Sequence, residues 1–102
     1  MPKKSYIITL ENGIRITCFL DTQKKLVERF VIKLEILINS QWTEVERYDT
    51  HHGYVHKDIL DKNGNKKRTV QYKLLDNKSG SNVAIKDFRE NYKIYIERFF
   101  ND

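Results

Sequence analysis

The sequence predicts an α+β fold: an antiparallel meander sheet of about six strands with one C-terminal helix packed on one face. Three observations carry that prediction. Apolar residues alternate with polar ones through the first three quarters of the chain, the period of a half-buried strand. Turn-forming stretches (Glu11-Asn12-Gly13, Asn39-Ser40, Asp61 to Lys67 with its Asn63-Gly64) break the alternation at short intervals. The last quarter changes to apolar spacings of three and four, the period of a helix. With 102 residues the chain holds one core, and we read residues 1–102 as a single domain.

In the first strand Tyr6, Ile8 and Leu10 alternate, and in the second Ile14, Ile16, Cys18 and Leu20 do. A three-residue loop with a left-handed Gly13 sets Leu10 opposite Ile14 and Ile8 opposite Ile16. The polar stretch DTQKK leads to the longest strand, roughly Val27 to Ile38. Phe30, Ile32, Leu34, Ile36 and Ile38 point to one side, and Val31, Lys33, Glu35 and Leu37 to the other. Strand four is WTEVERYD, the segment THHG is a loop, strand five is YVHKDIL and strand six is TVQYKLL. In the tail Ile85, Phe88, Tyr92, Ile96 and Phe99 form the helical stripe. Ser81 or Asn82 caps its start, and Lys86–Glu90 and Lys93–Glu97 are solvent-side pairs. Such a helix has about 18 residues and spans roughly 27 Å.

The composition narrows the function. A formal charge of +5 favours acidic partners, whether RNA, DNA or an acidic protein. Cys18 is the single cysteine, so no internal disulfide can form and a reducing cytoplasm is the natural compartment. Cys18 also falls on the apolar side of its strand, where an inert buried thiol is expected. No signal-peptide apolar core precedes Glu11. The run FVIKLEILI is broken by Lys33 and Glu35 and is too short to span a bilayer, so no membrane association is expected.

All three histidines lie in RYDTHHGYVHKD, residues 47–58. Treating Asn39-Ser40 as a two-residue loop sets Leu34 opposite Val45, Lys33 opposite Glu46 and Ile32 opposite Arg47. A loop at Thr50 to Gly53 then sets Arg47 opposite His56 and Glu46 opposite Lys57. In that register Lys33, Glu46 and Lys57 form a row of alternating sign on the outer face. Arg47, Asp49, Tyr54, His56 and Asp58 share the core-side face, and either Gln71 or Tyr72 stands beside His56 depending on the last loop.

This constellation suits metal-independent cleavage of RNA, which needs proton carriers and a cation for the phosphorane charge. His56 fits the base or acid role, Arg47 the charge role, and Tyr54, His51 or His52 the second proton carrier. Asp49 orients Arg47 or a histidine. Lys62, Lys66, Lys67 and Arg68 are placed to hold flanking phosphates. The competing reading makes Arg47–Asp49 a structural ion pair that ties the hairpin to the helix, in a non-catalytic module that binds protein or nucleic acid. A metal reading rests on His56-x-Asp58 with His51 or His52, a set suited to zinc or manganese. The cations Arg47 and Lys57 and the absence of a further ligand motif weigh against it, so no metal and no cofactor are expected. Trp42, opposite Leu37 and near Tyr48 and Val55, marks an outer-face patch for a partner or for a homodimer.

Trp42, Arg47-Tyr48-Asp49, His52-Gly53 and His56 resemble the motif of TumE-type proteins, toxin components of small prokaryotic toxin–antitoxin operons, and of related small families. Those proteins often carry a second histidine two positions after the one matching His56, where this chain has Asp58. The resemblance implies a toxin acting on RNA and held inactive by a small antitoxin protein encoded beside it.

Overall fold

The structure, a computed structural model, describes residues 3–101. Six strands follow one another in the sheet in chain order: β1 (Lys3–Glu11), β2 (Ile14–Gln23), β3 (Leu26–Ile38), β4 (Gln41–Asp49), β5 (Val55–Leu60) and β6 (Lys66–Tyr72). Every neighbouring pair is antiparallel. One helix, α1 (Asn77–Asn101), packs across β3, β4 and β5. This is the α+β meander that the alternation and the helical tail predict.

Two hairpins turn on two-residue loops with both residues left-handed: Lys24-Lys25 (φ 50° and 67°) and Asn39-Ser40 (φ 50° and 66°). That is the turn whose twist matches paired strands. Asn tolerates it, whereas two lysines carry the left-handed strain without glycine's freedom. The first hairpin keeps Ile8 opposite Ile16, as expected, but Glu11 rather than Leu10 stands opposite Ile14, because the strand bulges between Thr9 and Glu11.

A second bulge decides what the sheet presents. Glu35 pairs with Glu44, but Leu34 pairs with Glu46, so Val45 is an extra residue in β4. The register expected from a perfect hairpin is thereby shifted by one, and Leu34 opposite Val45 is corrected to Leu34 opposite Glu46. The physical gain is plain. Val45 stays in the apolar core, Tyr48 joins it opposite Ile32, and Arg47 and Asp49 turn to the other face opposite Lys33 and Val31. Regular alternation would instead have turned Arg47 and Asp49 beneath the helix and Glu46 to the open face; Asp49 is buried even where it stands, paired with Arg47 and His56.

The helix starts four residues before the expected cap. Asp76 is the N-cap, its Oδ1 accepting from Ser79 N at 2.7 Å, and this bond holds its carboxyl below the usual range. Asn77 Nδ2 donates to the carbonyls of Val27 (3.1 Å) and Glu28 (3.0 Å), fixing this end to β3. Gly80 lies against the sheet so closely that a Cβ there would stand 2.6 Å from Val55 Cγ2. From the expected stripe, Phe88 and Phe99 are buried and Ile85, Tyr92 and Ile96 pack around the core. No helix among the described residues is long and apolar enough to cross a membrane.

The helix covers one face of the sheet. On the uncovered face two rows cross all six strands. One is Ser5, Phe19, Val31, Asp49, His56 and Gln71; the next is Ile7, Thr17, Lys33, Arg47, Asp58 and Thr69. Each row is apolar or neutral over β1 and β2 and ionisable over β4 and β5.

Candidate functional site

Arg47-Tyr48-Asp49 on β4 runs antiparallel to His56-Lys57-Asp58 on β5. Arg47 stands opposite Asp58, Tyr48 opposite Lys57, and Asp49 opposite His56. The expected pairing of Arg47 with His56 is therefore corrected by two residues, because six residues, 50–55, separate the paired Asp49 and His56 where four were expected. Strand alternation sends the middle pair to the helix and the two outer pairs to the open face.

The middle pair forms a clamp. Tyr48 Oη donates to Asp87 Oδ2 at 2.6 Å, Tyr95 Oη donates to Asp87 Oδ1 at 2.5 Å, and Lys57 Nζ donates to Asp87 at 3.0 Å. Lys57 also lies 2.8 Å from Glu46 and 4.0 Å from the Tyr95 ring centre, and Arg98 reaches Glu46 at 3.1 Å. Burial pulls the Lys57 ammonium down, but the two carboxylates outweigh it and hold the pKa above its ordinary value. Burial pushes the Tyr48 phenol strongly up, and its bond to Asp87 adds to that. Burial would raise Asp87, yet the two tyrosines and Lys57 hold it below the usual carboxylate range. Glu46 and Lys57 thus lie under the helix, not in an outer-face row with Lys33.

On the open face Asp49 is the hub. Its Oδ1 lies 2.9 Å from His56 Nε2 and accepts from the His51 backbone N at 3.0 Å, while its Oδ2 meets Arg47 Nε at 3.1 Å. Arg47 also reaches Glu44 (3.3 Å) and Asp58 (3.6 Å). Asp58 Oδ1 accepts from Thr69 at 2.8 Å, and its Oδ2 faces Lys66 Nζ at 3.5 Å. Burial pushes Asp58 up, but Thr69, Lys66 and His56 together hold its carboxyl below the ordinary value. Arg47, Asp49 and His56 floor a depression of about 630 Å³ whose walls include Phe19, Arg29, Val31, Lys33, His51 and Lys66.

Arg47, Asp49 and His56 do come together, on the helix-free face instead of the core side. His56 is only 2% exposed, covered by the rings of His52 (5.2 Å) and Tyr54 (5.9 Å), so it cannot touch a substrate without movement. Tyr54 Oη accepts from Gln71 Nε2 at 3.2 Å; Gln71, not Tyr72, is the neighbour of His56. Lys66 lines the depression, Lys62 stands on the exposed β5–β6 loop, Lys67 is exposed, and Arg68 pairs with Ile59, out of step with the site. Lys33 and Arg29 belong to the site and were missed, although the alternation of Val31 with Lys33 placed Lys33 on this face. Trp42 is opposite Leu37 as expected, but Tyr48 and Val55 face the helix, and its true neighbour is the Arg15 guanidinium, 3.8 Å from the ring centre.

Donor atoms of Asp49, His56 and Asp58 all lie within 4.8 Å of one another, a spacing that a metal ion could bridge. Arg47 and Lys66 already supply two positive charges to the two carboxylates, and their repulsion opposes entry of a divalent ion.

Fold and site together define a small α+β protein whose single sheet offers an ionisable centre on the face its helix leaves open. The chain belongs to the DUF7718 family, described as a domain of unknown function, whose profile matches residues 1–102. No curated protein and no solved structure matches it.

Proposed function

We propose that this protein is a toxin-like ribonuclease that cleaves RNA without a metal on its helix-free face. The observation that carries the reading is the Asp49 hub, which holds Arg47 and the His51 backbone at one cation-rimmed depression. Arg47 supplies charge to the phosphorane, and Lys33 and Lys66 hold adjacent phosphates. His51 and His52 are both exposed, with ring centres 5.0 Å apart. One takes the 2′-hydroxyl proton as the 2′-oxygen bonds to phosphorus. The other protonates the 5′-oxygen as its bond to phosphorus breaks, leaving a 2′,3′-cyclic phosphate. His56 acts through Asp49 as a positioning residue. The motif resemblance to TumE-type toxins supports the same reading, with a cytosolic RNA target and an acidic antitoxin that covers the basic rim.

The test is expression of the chain in a bacterial host, together with incubation of purified protein and RNA in EDTA. Growth arrest and 2′,3′-cyclic phosphate ends are expected, with His51→Ala and Arg47→Ala each reducing cleavage at least tenfold. RNA binding without cleavage would replace the enzyme with a binding module. The absence of both binding and cleavage would overturn the reading.

A further inference from the structure

Beside the ionisable depression the same face carries a second one, of about 610 Å³, lined by Ser5, Ile7, Thr17, Phe19, Val31 and Lys33 among others. The two share Phe19, Val31 and Lys33, so they form one continuous surface. Ile7 is 58% exposed on the helix-free face, where it extends the apolar lining that Phe19 and Val31 begin. We infer that this apolar half is a base-stacking subsite, so that the ligand crossing the helix-free face is a single-stranded nucleic acid. The inference rests on the RNA reading above and specifies the form of RNA that the site takes.

The argument is one of complementarity. Strands lie about 4.8 Å apart, so Phe19 on β2 stands one strand from Lys33's strand and two from Arg47's. An unpaired base set on the Phe19 ring therefore has its phosphates within reach of Lys33 and Arg47. Aromatic rings beside a cationic track are how single strands are held without sequence readout. A duplex keeps its base faces stacked inside and has nothing to offer Phe19. Arg29, Lys33, Arg47 and Lys66 each face a carboxylate of this chain, so local charge does not bar a second copy, and the titrations below separate that occupant from a single strand.

The experiment uses the full chain and a fluorescein-labelled, unstructured 12-nucleotide RNA with 2′-O-methyl groups, which cannot be cleaved through a 2′-hydroxyl. Anisotropy titrations compare this strand with the same strand annealed to its complement. Preference for the single strand is expected. Phe19→Ala should weaken binding about tenfold with little change in salt dependence. Ile7→Ser, at an exposed position that cannot unfold the core, should weaken it severalfold. Lys33→Ala should lower the slope of log affinity against log salt by about one. Loss on Lys33→Ala with Phe19→Ala and Ile7→Ser both unchanged would overturn the subsite and leave the RNA reading standing. Equal affinity for the duplex would also overturn the subsite. No binding of either probe overturns both. Concentration-dependent dimerisation abolished by Ile7→Lys would assign the surface to a second copy instead.

Discussion

His56 Nε2 and Asp49 Oδ1 face each other across β5 and β4 at 2.9 Å, and the same Asp49 oxygen accepts the backbone N–H of His51. One carboxylate therefore couples a buried ring to the exposed loop that carries two more histidines. The imidazole that is most enclosed is the one least able to meet a substrate, and its influence passes through Asp49. A His56→Gln variant, which keeps bulk and one N–H, should retain most of the stability but lose order at the loop. Asp49→Ala should cost about 3 kcal/mol in urea unfolding, because it leaves Arg47 and His56 facing a buried gap. An Asp49→Ala protein as stable as the parent would show that the hub contributes nothing to the fold.

Lys57→Met removes the only cation shared by Glu46 and Asp87 among the described residues. Breaking such a buried pair on one side costs about 3–5 kcal/mol. Replacing Lys57 and Glu46 together by methionine should recover part of that loss. Thermal melts of the single and double variants give the comparison.

Alkali should unfold the protein through the same clamp. Both Lys57 and Tyr48 have folded pKa values raised above 10.5 and 10.0, the ordinary ones. The native state then keeps protons that the unfolded state releases, so their stabilisation is complete below about pH 10 and falls as pH rises through the folded values. Urea midpoints measured from pH 8 to 11 should drop across the upper half of that range. Tyr48→Phe should flatten the drop; an unchanged profile would place the alkaline transition elsewhere.

Gly80→Ala tests the approach of α1 to β5. Alanine favours a helix by about 1 kcal/mol, but the added Cβ meets Val55 Cγ2 at 2.6 Å. Overpacking of this kind costs about 1–3 kcal/mol, so a net loss is expected. Gly80→Ala combined with Val55→Ala should relieve the clash while opening a smaller cavity elsewhere.

Lys24-Lys25 offers the reverse test. Replacing the pair by Asn-Gly suits both left-handed positions, and about 1 kcal/mol of added stability is expected without change at the site. A rise in melting temperature of a few degrees would register it.

The strands were legible because their apolar residues alternate and their turns carry Asn and Gly. The Lys24-Lys25 turn lacks such a signal and could be seen only as a polar break. The helix start was hidden by Ser79-Gly80-Ser81, which reads as a loop until Gly80 is seen to be a contact point. At the site, period two correctly joined Arg47 to Asp49 and His56 to Asp58, and the two pairs stayed on one face because the β4–β5 register moved by an even number of residues. The face itself was misjudged, because nothing local marks Val45 as an extra residue. The clamp of Tyr48, Lys57 and Asp87 was invisible for a different reason. Asp87 is 30 residues from Lys57 on another element, and only the final packing brings them together.

The inserted Val45 means that the character of each face is set by a count of residues as much as by their identities. A chain with the same Arg-Tyr-Asp and His-Lys-Asp words, but one residue fewer between Glu35's partner and the motif, would turn its tyrosine to the open face and drive its charges under the helix. Motif searches read the words and are blind to that parity. Deleting Val45 from this chain would therefore be a reversal of inside and outside, a far larger change than the loss of one methyl-bearing side chain.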